Sequence, residues 1–414
     1  MKTTQVTDGV YRLSANVHDL LFEGMWPIPH GFSMNSYIVK GDKVAIIDGV
    51  CDWDGTPETL FDQFKQMNVK AEDIDYVIIN HMEPDHSGWL KDFKKIRPDF
   101  KIVTTAKAKA LLESFYSIDN EVQIVKSGDT LDLGAGRVLA FEEIPNVHWP
   151  ETMATFDTKS GTLFPCDAFG AFGAITDSPY DDQLSQEEID FFEEEGTRYY
   201  ANIVGAYSAP AKKAVVKTEK LPVKIVAPGH GIVWRQNPQK IIDDYKRYAA
   251  YSKGPAKEEI TVVWGSMYGN TQQGVEPVVE GIKSEGMKVN VHRVPETHYS
   301  YVLRDVWNSS GVVLGMPTYE YKMFAPMSVV VDELGRKKAL NRKAFRFGSY
   351  GWSGGAQKEL DEIQERYKMK WDFLEPVEFN GAPSQEELDL IFQRGKELAV
   401  KVREWVRSEG AVEA

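Results

Sequence analysis

The sequence predicts an α/β chain of two unlike domains. The first mixes strands and helices, as α+β or a four-layer αββα sandwich, and the second is a doubly wound parallel sheet. Length is one ground, since 414 residues exceed what a single ordinary core organises. A seam is the second: "YSKGPAKEEITVVW", residues 251–264, is polar around the helix-breaking Pro255 and then turns apolar. The third is a change of rhythm across that seam, from hairpins mixed with crossovers to strands alternating with helices. The domains are therefore set at 1–254 and 255–414.

Taken in order, "NSYIVKGDKVAIIDGV" (35–50) is two apolar runs around a Lys-Gly-Asp turn, a hairpin. The runs "YVIINH", "FKIVTT", "VQIVKSGD", "RVLAFEEIP" and "VKIVAPGH" add strands, residues 76–80 forming a buried one. Helices are expected at about 56–67, 87–96 and 105–116. Past the seam, "ITVVW", "MKVNVHRV", "GVVLGM", "KAFRFGSY" and "WDFLEPVEF" supply five strands with helical patterns between them.

Composition excludes several function classes. A net charge of −14 argues against a nucleic-acid or anionic-membrane partner, which needs clustered Lys and Arg. No window approaches the roughly 18 apolar residues of a membrane span, and the N-terminus lacks the apolar core of a secretory signal. Two cysteines, Cys51 and Cys166, make neither a disulfide framework nor a four-cysteine iron site. A cytoplasmic location is expected.

"NHMEPDHSGW" (80–89) crowds potential metal ligands together: His81, Glu83, Asp85 and His86, with Asn80 ahead of them. Pro84 pushes Glu83 toward extended geometry, and residues two apart in extended chain share a side. His81, Glu83 and Asp85 can then face one point, while Asp85 is placed to cap a helix beginning near Ser87. "PNVHWPET", "PCDAFG" and "APGHG" bring His148, Asp167 and His230, each after an apolar strand at a turn containing Gly or Pro. A lone His at a strand end is ordinarily a satisfied structural side chain. Four of the eight histidines gathered with carboxylates at four strand ends of one domain read as a metal site.

In this order the segments resemble the metallo-β-lactamase fold, whose hydrolytic members carry His-x-His-x-Asp-His and bind zinc. Here Glu83 stands where the second histidine would be. Zinc favours nitrogen and sulfur donors, and added carboxylate moves a site toward harder metals. Glu83, Asp85 and Asp167 together bring enough negative charge to stabilise two metals that cycle into the trivalent state. Iron fits, whereas zinc has no redox chemistry to offer.

In the second domain, "GSMYGNT" (265–271) joins a strand to a helix and lacks the lysine of a nucleotide-triphosphatase loop. Ser266, Tyr268, Asn270 and Thr271 offer hydroxyl and amide donors, and Met267 and Gly269 complete a loop suited to a terminal phosphate. "GMPTYEYKM" (315–323), with Pro317, Thr318 and Tyr319, and "GSYGWSGGA" (348–356) follow the third and fourth strands. Loops at such strand ends converge where doubly wound sheets bind ligands. Tyr319, Tyr350 and Trp352 could sandwich a flat ring; Gly351, Gly354 and Gly355 permit close backbone approach, with Ser349 beside them. This domain resembles flavodoxin, and the resemblance implies FMN.

A metallo-β-lactamase-like diiron domain followed by a flavodoxin-like domain resembles the flavodiiron proteins over about residues 3–410. The resemblance implies that one iron takes His81, Glu83 and His148, the other Asp85, His86 and His230, and that Asp167 bridges. In some members the residue at the His86 position turns away. Family members reduce dioxygen to water or nitric oxide to nitrous oxide, and Trp26, Trp149 and Phe169 are candidates to restrict access to the irons. A head-to-tail homodimer is implied, with a homotetramer as the larger assembly. Electrons are expected from a separate donor. The stretch "FPCDAFGAFGAITDSPYDD" resembles the methanogen oxidases, which points to dioxygen reduction fed by the reduced deazaflavin coenzyme F-420; rubredoxin is the alternative donor. Two rival classes remain: a zinc hydrolase, opposed by Glu83, and an electron carrier with an inert first domain.

Overall fold

The computed structural model describes residues 3–51 and 58–409. They form two compact units, one running to Tyr200 and including Ala209–Lys246, the other comprising Ala201–Ser208 and the described chain from Arg247 on. Among the described residues no helix is long and apolar enough to cross a membrane.

In the first unit the predicted hairpin is Phe32–Lys40 antiparallel to Val44–Ile47. Ile74–Ile78, Lys101–Thr104 and Val122–Ile124 add in parallel on one side. Thr4–Thr7 and Val10–Val17 complete a seven-stranded sheet on the other. A second sheet of five strands runs Thr130–Asp132, Val138–Glu143, Met153–Asp157, Thr162–Phe164 and Ile225–Val226. Alternate residues of both sheets, among them Val39, Ile47, Ile78 and Val103 with Leu139, Phe141, Met153 and Phe164, form one core. Helices such as Glu58–Gln66 and Leu90–Ile96 bury Leu60, Phe64, Leu90 and Phe93, giving the αββα layering of the metallo-β-lactamase-like fold.

Local details differ from expectation. The strand expected at 76–80 is Ile74–Ile78, so the ligand loop starts earlier. The helix expected over 56–67 is seen as Glu58–Gln66, residues 56 and 57 lying outside the described residues. The helix expected over 87–96 is two pieces, Pro84–Ser87 and Leu90–Ile96. Asp85 does not cap it. Glu83 occupies the cap position, because Pro84 has a preset φ and no N–H to leave unsatisfied at the first helical position. Between the pieces, the Trp89 indole packs onto Gly49, where a Cβ would sit 1.9 Å from its nitrogen.

The second unit is a parallel sheet in the order Lys288–Arg293, Lys257–Trp264, Ser309–Gly315, Lys343–Tyr350 and Asp372–Phe373. This is the 2-1-3-4-5 order of flavodoxin-like folds. The fifth strand is not continuous: Val377–Asn380 pairs separately with Lys343–Tyr350, after Pro376, which has no N–H for a ladder. Val262, Val313, Phe345 and Phe347 pack against Val278, Ile282, Ile391 and Leu398 of the covering helices.

Gly348 lies where the fourth strand meets the third. A Cβ there would come within 1.9 Å of the Met316 carbonyl oxygen, a backbone atom with little room to retreat. Gly348→Ala is expected to destabilise the second unit by about 1–3 kcal/mol, the usual cost of overpacking. Chemical denaturation followed by tryptophan fluorescence checks it; an unchanged midpoint would show that the strands can part at no cost.

Candidate functional site

Four loops bring the predicted ligands together. His81 and Glu83 follow the strand Ile74–Ile78, His148 lies between Val138–Glu143 and Met153–Asp157, Asp167 follows Thr162–Phe164, and His230 follows Ile225–Val226. Asn80 is no ligand. Its amide donates to the Phe164 carbonyl at 3.0 Å and accepts from Thr155 Oγ1 at 2.7 Å, while its own carbonyl takes the Met153 N–H at 2.9 Å. The side chain thus ties the end of one sheet to the other. Asp48, buried and not anticipated, accepts the Asn80 N–H at 2.8 Å and holds the loop start.

The ligand atoms sort into two groups sharing one carboxylate. His81 Nε2 and His148 Nε2 lie 3.2 and 2.9 Å from Glu83 Oε2, and 3.3 and 3.2 Å from Asp167 Oδ2. His86 Nε2 and His230 Nε2 lie 2.7 and 3.2 Å from the other oxygen, Asp167 Oδ1, and 3.4 and 3.3 Å from Asp85 Oδ2. Donor atoms each about 2.0–2.2 Å from a common ion stand roughly 3 Å from one another, so both groups have the spacing of ligand shells. His86 is turned inward. The expectation that His81, Glu83 and Asp85 share one point divides: the first two join one group, and Asp85 joins the other.

Unsatisfied atoms point the same way. Both Asp85 carboxylate oxygens are buried without a hydrogen-bond partner, and His86 Nε2 and His230 Nε2 face each other at 3.1 Å. Two ring nitrogens share one proton at most across such a gap, whereas a cation among them satisfies every atom. The donor set fits a pair of metal ions. Cys166 also stands near His86 and Asp167, and in the metal-free chain burial pushes its thiol pKa well up, as do the charges of Asp48, Asp167 and Asp85.

Partners outside the ligand groups set the tautomers. His81 Nδ1 donates to Glu151 Oε1 at 2.8 Å and His230 Nδ1 to the Ser33 carbonyl at 2.9 Å, leaving each Nε2 toward the centre. Glu151 was not anticipated, although it stands in the "PNVHWPET" loop three residues after His148. Phe32 stacks on the His230 ring at 4.2 Å, and Trp149 meets His81 edge-on at 5.3 Å. Trp26 donates its indole N–H to Glu23, and Phe169 packs on Tyr245 at 4.7 Å. In the loop of His230, Gly229 leaves room for His86, whose Cε1 would be 2.8 Å from a Cβ there, and Gly231 has φ +77°.

Without metal, protons do the neutralising. Burial would lower the pKa of His148 and of His230. Asp167 and Glu83 beside the first, and Asp167 and Asp85 beside the second, overcome it and raise them to about 9 and about 10. Burial would raise the Asp167 carboxyl, yet His86 and His81 outweigh it and hold it well below the usual range.

The second unit carries a cleft of about 530 Å³ at the C-terminal ends of the parallel strands, a size that suits a flavin nucleotide. It is lined by the expected Ser266, Met267, Tyr268, Asn270, Thr271, Pro317, Thr318, Tyr319, Ser349, Tyr350, Gly351 and Trp352, together with Glu320, Tyr321, Ser353 and Gly381. Gly269 shapes the first loop at φ +90° without lining the cleft. Gly354 and Gly355 do not line it either. A Cβ on Gly355 would meet the Tyr321 carbonyl at 2.1 Å, so that glycine serves loop packing instead. Thr271 Oγ1 accepts the Ser349 N–H at 3.2 Å, joining two of the loops. Tyr268 and Trp352 are 93% and 83% exposed, open faces for a planar ring.

Known proteins agree with both halves. A family profile described as "ODP family beta lactamase" matches residues 32–231, and one described as flavodoxin matches 262–395. A nitric oxide reductase of Moorella thermoacetica is 30% identical over 96% of this chain and 98% of its own. An anaerobic nitric oxide reductase flavorubredoxin of Escherichia coli is 33% identical over 91% of this chain and 76% of its own. A variant of the flavo-diiron protein from Thermotoga maritima superposes with a TM-score of 0.85 at 28% identity, covering 96% and 98% of the two chains.

Three outcomes are expected. Ligation needs neutral imidazoles, so metal uptake should release protons and its apparent affinity should rise with pH until His148 and His230 lose theirs near 9 and 10. The metal-free chain should behave oppositely. Folded-state pKa values above the ordinary histidine value stabilise it fully below about 6.5, and that contribution is lost as pH rises through about 9 to 10. Calorimetry in buffers of different ionisation heat counts the protons; none released would refute the assignment. Glu151→Gln, which weakens the acceptor of His81, should lower metal affinity about 10–100-fold, read by competition with a chelator. By these matches the chain belongs to the flavodiiron proteins, whose cofactors are FMN and a diiron centre.

Proposed function

We propose that this protein is a nitric oxide reductase, converting two NO with two electrons and two protons to N2O and water. The observation that carries a two-metal reaction is Asp167, with one carboxylate oxygen on each ligand group. The choice of nitric oxide is supported by the names of the relatives from Moorella thermoacetica and Escherichia coli. The second reading is four-electron reduction of dioxygen to water, favoured by the resemblance of residues 164–182 to the methanogen oxidases.

The two irons and FMN supply the reducing electrons when bound. The chain's own part is to prepare and protect the place where they are used. Glu83, Asp85 and Asp167 supply the negative charge that balances two cations, and Glu151 and the Ser33 carbonyl hold His81 and His230 with Nε2 inward. Phe32 and Trp149 wall the histidines from water. In the flavin cleft, Ser266, Asn270 and Thr271 offer donors for a phosphate, and Tyr319, Tyr350 and Trp352 offer ring faces. The proposed donor is a rubredoxin, in keeping with the flavorubredoxin name of one relative. Reduced coenzyme F-420 is the donor that goes with the dioxygen reading, and the head-to-tail homodimer belongs to the same proposal.

The test is anaerobic stopped-flow mixing of metal-analysed protein with reduced rubredoxin or reduced deazaflavin, followed by nitric oxide or dioxygen. Flavin reduction by rubredoxin and N2O formed at half the nitric oxide consumed are expected. Turnover with dioxygen alone would transfer the protein to the second reading, and zinc in place of iron would end both.

A further inference from the structure

The ligand His230 sits in a loop whose backbone is held largely by the strand Phe32–Lys40. Ser33, Asn35 and Tyr37 lie on one face of that strand, as alternate residues must, and all three are buried. Asn35 makes most of the attachment. Its N–H donates to the Gly229 carbonyl at 2.7 Å, and its Nδ2 donates to the carbonyls of Pro228 at 3.0 Å and Gly231 at 2.9 Å. The carbonyls on both sides of His230 thus end on one residue. Tyr37 OH adds a bond to Pro228 O at 2.8 Å, and Ser33 Oγ takes the Gly231 N–H at 2.8 Å.

An asparagine can do this only in one orientation. Its Nδ2 has two protons for the two carbonyls, and turned over it would set oxygen against oxygen. The buried Arg12, on the neighbouring strand Val10–Val17, donates its Nε–H to Asn35 Oδ1 at 2.8 Å. That contact excludes the flipped amide, because an Nδ2 there would face a second donor.

We infer that Asn35, oriented by Arg12, is a positioning residue for the metal held by Asp85, His86 and His230: it fixes the loop that presents His230. The inference rests on the reading of His230 as a ligand. Asn35 touches neither metal nor substrate, and acts through backbone carbonyls alone.

The test is Asn35→Asp, which keeps the size of the side chain and exchanges its two-proton donor for a charged acceptor facing Pro228 O and Gly231 O. Iron affinity at the second position is expected to fall about 10–100-fold, the range for residues that orient ligands, with the first position still filled and FMN content unchanged. Iron titration should then show about one tight site per chain in place of two, and one of two ferrous Mössbauer doublets should be lost. Two irons with unaltered doublets would overturn the inference, as would parallel loss of both irons and FMN, which would signal general unfolding. If Asn35→Asp is insoluble, Arg12→Leu gives the same readout, with a smaller selective loss expected and no loss overturning the inference. His230→Ala is the control: two tight irons in that variant would refute the ligand reading itself, whereas its loss of one beside an intact Asn35→Asp would refute only the role of Asn35.

Discussion

Three carboxylates cannot remain ionised together in a dry site unless positive charge lies among them, and the first unit is organised around that constraint. Glu83, Asp85 and Asp167 are buried with four imidazoles, and Asp167 is shared by both groups. In the metal-free chain the balance comes from protonated histidines, whose pKa values rise to meet the carboxylates. Metal ions and protons therefore compete for the same place. The geometry decides what replaces the protons: two donor sets, each at ligand spacing, joined by the two oxygens of one aspartate.

Holding that cluster takes two sheets in register. Each ligand loop leaves the end of a strand, and the ends coincide because Asn80 bonds to Phe164, Thr155 and Met153 across the gap. A loop carrying backbone polar groups into a buried site must have each of them paired. Here the partners are side chains of neighbouring strands, with Asp48 at the His81 loop and Asn35 at the His230 loop. Glu151 does similar work on the ring of His81. These residues stand outside the donor sets, and their chemistry is what gives the candidate ligands their directions.

The cleft of the second unit is built on other terms. Its walls come from the ends of parallel strands, its polar donors are hydroxyls and amides, and its largest aromatics are open to solvent. Glycines there serve unequal purposes. Gly351 has nothing within 4 Å of where a Cβ would stand, whereas Gly355 is pressed against the Tyr321 backbone. A glycine-rich string such as "GSYGWSGGA" shows where close approach occurs, but not whether the approaching group is ligand or chain.

The candidate ligands could be picked out of the sequence because their chemistry is scarce: half of eight histidines, set with Asp and Glu at the ends of apolar runs, have few other uses. The parallel sheet was legible because strands and helices alternate through 260–379 at regular length. Helix ends and the break before Leu90 were not, since a proline's preset φ and the packing of Trp89 on Gly49 outweigh local cap preference. Nor could the sequence divide the ligands into two groups or mark Asp48, Glu151 and Asn35 as their supports. An Asp, Glu or Asn is too common a residue to be singled out by spacing. What it does depends on which strand end lies beside it, and in Asn35 and Pro228 those partners are 193 residues apart. The sequence by itself determined which atoms could bind metal, through the identity of their side chains. Only the tertiary structure decided which of them stand close enough to share an ion, because that is a matter of distance across two packed sheets.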